Sequence, residues 1–124
     1  MALLESGEMY LETILILSRK KSAVRAIDVG EYMGYSKPSV SRALGVLRDA
    51  GMISVDAAGS ITLSDAGRRH AEDIYDRHTT LTRIFQLLGV SDKTASEDAC
   101  RIEHYISEET FLAIKEHLRK YDKQ

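Results

Sequence analysis

Cysteine occurs once in the 124 residues, at Cys100. No disulfide can therefore form within the chain, and a reducing, cytoplasmic location is the expectation. Long apolar runs are missing too, and none exceeds a few residues. That is too short for a membrane span or the core of an export signal, so no membrane partner is expected. The opening Met1-Ala2-Leu3-Leu4-Glu5-Ser6 also lacks the basic segment of such a signal. There are no internal repeats and no low-complexity tracts. No Gly-rich oxyanion loop accompanies Cys100 and His104, so a nucleophile and base at helical spacing lack a pocket, and an enzyme is not expected. Lys and Arg are absent from Gly51 to Ala66.

What is present, 44% hydrophobic and 29% charged residues, is ordinary for a soluble globular protein of one domain or two very small ones. The net charge of −2 is unevenly spread. From Arg19 to Arg48 there are seven basic residues (Arg19, Lys20, Lys21, Arg25, Lys37, Arg42, Arg48) against Asp28 and Glu31, a local +5 that leaves −7 for the remainder. A basic block in an acidic chain is the asymmetry expected of a DNA-facing segment.

Glu5 to Ser18 reads as a helix with Tyr10, Leu11, Ile14, Leu15 and Leu17 on one apolar face; Met9 and Glu12 lie three apart in its first half. Val24 to Met33 reads as a shorter helix, broken at Gly34-Tyr35-Ser36. Ser36 is an N-cap and Pro38 sits in the next helix's first turn, where its missing N–H does no harm. That helix runs to Ala50, and Gly51 closes it. Helix, tight turn, helix is a helix-turn-helix pattern. Val40, Leu44 and Leu47 face inward, while Lys37, Pro38, Ser39, Ser41 and Arg42 occupy the half that meets base edges in the major groove, with Arg48 further along. Met52 to Val55 and Ser60 to Leu63 alternate with period two about Asp56-Ala57-Ala58-Gly59, a β-hairpin that makes the motif a winged helix. Without a basic residue, this wing should add little to phosphate binding.

Ser64 caps a long helix to about Leu88, whose inward stripe is Ile74, His78, Leu81, Phe85 and Leu88. Asp98 to Ile106, without Pro or Gly, reads as one helix on which Cys100, Glu103 and His104 share a face. A thiolate, a carboxylate and an imidazole on one patch form a transition-metal half-site whose open positions require solvent or a second chain segment. His78 would ordinarily be a hydrogen-bonded core histidine; beside a half-site it becomes a candidate ligand. Ser107, followed by Glu108 and Glu109, starts a last helix. Ile102, Tyr105, Ile106, Phe111, Ile114 and Leu118 exceed what one long helix can cover, which points to a homodimer through the C-terminal helices. The fold class expected is mainly α: a winged helix-turn-helix with a small β-hairpin wing in residues 1–70, then a helical metal-binding and dimerisation domain in 71–124.

Glu8-Met9-Tyr10-Leu11, Pro38-Ser39-Val40-Ser41, Thr62-Leu63-Ser64-Asp65-Ala66-Gly67, Arg77-His78 and Asp98-Ala99-Cys100-Arg101-Ile102-Glu103-His104 together resemble the diphtheria toxin repressor family of dimeric, metal-dependent transcriptional regulators. The resemblance covers essentially the whole chain. It implies a short form without the SH3-like domain of longer members, similar to the manganese transport regulators. By position, Met9, Cys100, Glu103 and His104 match the primary site of iron-type members, whereas manganese-type members carry aspartate and glutamate where this chain has Met9 and Cys100. Glu12 matches a carboxylate ligand of the manganese type, and His78 an ancillary-site ligand of both. Thr82 and Ser96 stand where iron-type members draw a carboxylate and an imidazole, so a second metal would use His78 with Glu12 or Glu103, or Glu97. The expectation is a repressor that binds a palindromic double-stranded operator as a dimer, through Arg25, Lys37, Pro38, Ser39, Ser41, Arg42 and Arg48, when Fe2+ or Mn2+ is bound, and controls metal-homeostasis genes. Other divalent first-row metals would also bind in vitro. The alternative is a winged-helix regulator that senses redox state through Cys100.

Overall fold

The computed structural model describes residues 5–122, and they fall into two compact units that divide between Glu72 and Asp73. In chain order the elements are α1 (Glu5–Ser18), α2 (Ala26–Met33), α3 (Lys37–Asp49), β1 (Ile53–Val55), β2 (Ile61–Leu63), α4 (Asp65–Leu87), α5 (Asp92–Ile102) and α6 (Glu108–Tyr121). This is the winged helix-turn-helix followed by helices that the sequence implied.

The first unit is built on α1. Tyr10, Leu11, Ile14, Leu15 and Leu17 are all buried, and the helix touches α2, α3 and β2. Each such side chain contributes about 2 kcal/mol of burial. Gly34, at φ 73, takes the left-handed conformation that closes α2, and its N–H donates to the Gly30 carbonyl (2.8 Å). Ser36 caps α3 as expected, its hydroxyl accepting from the Ser39 N–H (3.4 Å). Val40, Leu44 and Leu47 are buried beneath it.

The start of α2 differs from the sequence reading. The second helix begins at Ala26, not Val24, because the Val24 carbonyl accepts from the Ile61 N–H (2.7 Å) and Arg25 is extended. Residue 24 is therefore tied to the wing. Asp28 then caps α2 by accepting from the Arg25 N–H (2.9 Å). The Lys21 ammonium, 2.6 Å away, and then that N–H, hold its carboxyl below the usual carboxylate range.

The hairpin is antiparallel, pairing Ile53 with Leu63 and Val55 with Ile61. Ile53, Ile61 and Leu63 are buried, whereas Ser54 and Thr62 alternate outward. The acidic residue in the turn has a local use: Asp56 Oδ1 accepts from the N–H groups of Ala58 and Ser60, both at 2.9 Å. Ser64 joins the hairpin to α4. Its N–H donates to the Met52 carbonyl (2.9 Å), its hydroxyl donates to the Gly51 carbonyl (2.7 Å), and the Gly67 N–H donates back to that hydroxyl (3.0 Å). Gly67 is buried so closely against Met52 that a Cβ would overlap the Met52 carbonyl oxygen.

The second unit holds most of α4, with α5 and α6. Its buried residues include Ile74, Leu81, Ala95, Ala99 and Phe111. Arg83 makes a two-pronged ion pair with Asp122 (2.7 and 2.9 Å), and Lys115 pairs with Asp76 (2.5 Å). Leu88 does not continue the inward stripe: α4 ends at Leu87, and Leu88 is 74% exposed. Phe111, expected on the outer apolar surface, is 2% exposed, with the Arg77 guanidinium (5.1 Å) and the Lys115 ammonium (5.7 Å) over its ring. Exposed apolar side chains remain in this unit at Leu87, Leu88, Ile102, Tyr105, Leu112 and Tyr121.

Replacement of Gly67 by alanine forces the Met52 backbone away from α4 and should cost about 2 kcal/mol or more. Urea unfolding of Gly67→Ala checks this; an unchanged midpoint would mean that α4 is not seated on Met52.

Candidate metal centre and nucleic-acid interface

The metal-ligand candidates divide between the units. Met9 and Glu12 lie on α1, one turn apart; Met9 is half-buried and Glu12 only 8% exposed. His78, Cys100, Glu103 and His104 belong to the second unit.

Cys100 and its neighbours were expected on one continuous helix to Ile106. The helix instead ends at Ile102, and Glu103, His104 and Tyr105 form a turn before Ser107 caps α6, its hydroxyl accepting from the Thr110 N–H (3.1 Å). Nothing local stops α5. The termination comes from α4, where Arg77 Nη1 donates to the Ile106 carbonyl (2.7 Å) and more distantly to the Glu103 carbonyl (3.5 Å). Glu103 keeps helical dihedrals (φ −55, ψ −27), so the half-buried Cys100 still precedes it by about one turn.

Glu103 is the singular residue. It is 0% exposed, and neither carboxylate oxygen has a hydrogen-bond partner. The groups facing it are imidazoles: His78 Nδ1 lies 3.2 Å from Oε2, and His104 Nε2 lies 3.5 Å from Oε1. The other face of His78 is positioned as well. Ser96 Oγ is 3.5 Å from Nε2, and Thr82 donates its hydroxyl to the His78 carbonyl (2.7 Å). Thus Ser96, a poor substitute for a metal ligand, stands beside the His78 ring, while the Thr82 hydroxyl is used on the α4 backbone. Glu97 is exposed. A carboxylate wholly out of water, without donors and facing two imidazoles, suits a divalent cation, since unpaired buried charge is otherwise expensive. The donor set, oxygen and nitrogen with sulfur one turn away, is also that of first-row metals.

On the first unit, Lys37, Pro38, Ser41 and Arg42 are exposed on the N-terminal half of α3. Ser39 is half-buried and its hydroxyl accepts from that of Ser36 (3.0 Å). Arg48, at the far end, is exposed and close to Asp49 (3.7 Å). A groove of about 460 Å³ opens between α2 and α3, lined by Ile27, Gly30, Tyr35, Lys37, Val40 and Ser41 among others. Sequence reasoning missed one role of Arg25: its Nε donates to the Ala58 carbonyl (3.2 Å), so the residue before α2 braces the tip of a wing that has no cation of its own. The partners are 33 positions apart, and no local pattern marks them.

Residues 2–59 match the family model for the iron dependent repressor N-terminal DNA binding domain, and residues 64–124 match that for the iron dependent repressor metal binding and dimerisation domain. The chain belongs to the iron-dependent repressor family. It is 30% identical over 120 residues to an uncharacterized HTH-type transcriptional regulator of Methanocaldococcus jannaschii, covering 94% of this chain and 95% of that one. It is 31% identical over 112 residues to the transcriptional regulator MntR of Escherichia coli O6:H1, covering 90% of this chain and 72% of MntR. Among solved structures, a manganese-dependent transcriptional repressor in complex with manganese superposes with a TM-score of 0.82 at 25% identity, covering 91% of this chain. The chain spans about half the length of that repressor (52%). No helix among the described residues is long and apolar enough to cross a membrane.

Replacing Glu103 by glutamine removes the buried charge. In chelator, Glu103→Gln should melt at or above the wild-type temperature, and the rise on adding manganese(II) should vanish. A metal-free variant that melts well below wild type would mean the imidazoles already satisfy the carboxylate.

Proposed function

We propose that this chain is a metal-gated transcriptional repressor that binds a near-palindromic operator as a homodimer, with iron(II) preferred over manganese(II). The observation that carries the reading is Glu103, fully buried without a hydrogen bond and facing His78 and His104 in a chain of this family. The ligand set we propose is Glu103, His104, Cys100 and His78, with Met9 and Glu12 of α1 included for their chemistry. The sulfur donors of Met9 and Cys100 favour the softer ion, while the carboxylates suit manganese(II) as well. When bound, the cation supplies the positive charge that the Glu103 carboxylate lacks.

The residues do the rest. In the tautomer where His78 Nε2–H donates a hydrogen bond to Ser96 Oγ, 3.5 Å away, Nδ1 would be left for ligation, the usual device for fixing a ligating imidazole. Metal occupancy would favour the DNA-competent state, a population shift driven by differential binding. The exposed Lys37, Pro38, Ser41 and Arg42, with the half-buried Ser39, would then enter the major groove in each half-site. Arg42 suits guanine edges or phosphate, and the apolar groove beside α3 suits thymine methyls. Arg25 at the wing tip and Arg48 would hold phosphates. The apolar side chains left exposed in the second unit, Tyr105 at 75% foremost, are the surface proposed for the partner subunit.

Fluorescence anisotropy of duplexes from upstream of the host's metal-transport genes tests this in anaerobic buffer. Iron(II) or manganese(II) should tighten binding by about 5- to 150-fold over chelator, the usual span of allosteric coupling. Cys100→Ala and His104→Ala should lose that gain, and lowering the pH should weaken it, because metal ligands bind in their deprotonated forms. Equal binding with and without metal would refute the gating.

A further inference from the structure

We propose that Arg77 is a positioning residue for metal binding: it pins the backbone of the turn from which Glu103 and His104 project, so that the ligands are arrayed before any cation arrives. The inference rests on the metal-site reading above.

The geometry is confined to the second unit. Where α5 stops at Ile102, local N–H groups still serve its end (Glu103 to the Ala99 carbonyl, Tyr105 and Ile106 to that of Ile102), and Arg77 serves carbonyls of the turn beyond. Arg77 Nη1 supplies donors to two carbonyls of the turn, Ile106 (2.7 Å) and Glu103 (3.5 Å), and Nη2 donates to the Glu108 carboxylate (2.9 Å) at the start of α6. The guanidinium is itself held. Asp73 Oδ2 lies 3.4 Å from Nε, the plane stands over the Phe111 ring, and the side chain is only 11% exposed. A fixed cation at a helix C-terminus also complements the helix dipole. One residue on, His78 points at the Glu103 carboxylate. Neighbouring positions of α4 therefore grip both ends of one ligand: Arg77 takes its carbonyl and His78 faces its side chain. Without Arg77 the turn must be ordered at the expense of metal-binding energy.

Lysine preserves the charge but not the fork that reaches two carbonyls and a carboxylate at once. Manganese(II) titrations of the full chain, read by the electron paramagnetic resonance signal of free ion, should show Arg77→Lys and Arg77→Gln binding about ten- to a hundredfold more weakly, the usual loss for a residue supporting a ligand. The cobalt(II) ligand-field spectrum of both should shift from wild type. Arg83→Gln is the control: it breaks the ion pair to Asp122 in the same unit and should lower thermal stability while leaving manganese(II) affinity within twofold and the cobalt(II) spectrum unchanged. If Arg77→Gln fails to fold, Arg77→Lys carries the same expectation. Affinity within twofold of wild type in Arg77→Lys, or an equal loss in Arg83→Gln, would overturn the positioning role and leave the metal site standing. Wild-type protein that retains no manganese(II) would overturn both.

Discussion

The carboxylate of Glu103 is the constraint to which the rest answers. A carboxylate fully removed from water loses several kcal/mol of hydration, which only charge partners or hydrogen bonds restore. Among the described residues no donor is hydrogen-bonded to it, and two imidazoles stand 3.2 and 3.5 Å from it. Around it the second unit spends ordinary interactions on holding the approach: Ser96 and Thr82 about His78, and Arg77 across the turn.

The DNA-binding unit has a separate logic. Its core is closed by α1, α3 and the hairpin, and several of its charges are used locally. Asp28 caps α2, Asp56 shapes the wing turn, and Arg25 joins α2 to the wing.

Features set by neighbours in sequence were legible. The apolar stripe of α1, the Ser36 cap with Pro38, the period-two hairpin and the Ser107 cap all rest on contacts a few residues apart, and each forms as read. The misses come from partners far along the chain. Val24 leaves its helix for Ile61, Phe111 is covered by cations from α4 and α6, and α5 is stopped by a guanidinium 26 positions before Glu103. For the site, Cys100, Glu103 and His104 stood out by spacing alone, although two of them lie past the helix end. Met9 and Glu12 drew their meaning from the family resemblance, and His78 first from the half-site near it. A methionine or histidine on an apolar face carries no mark of ligation by itself, and the serine beside the His78 ring has no sequence signature.

Linkage gives the most direct test. If metal occupancy and operator binding report on one equilibrium, each must tighten the other by the same factor. Manganese(II) affinity should be measured for the full chain alone, with operator duplex, and with a scrambled duplex of equal length. Operator should tighten metal binding by the factor by which metal tightens operator binding, and the scrambled duplex should not. Metal affinity that is the same with and without operator would contradict gating and leave the metal as a structural ion.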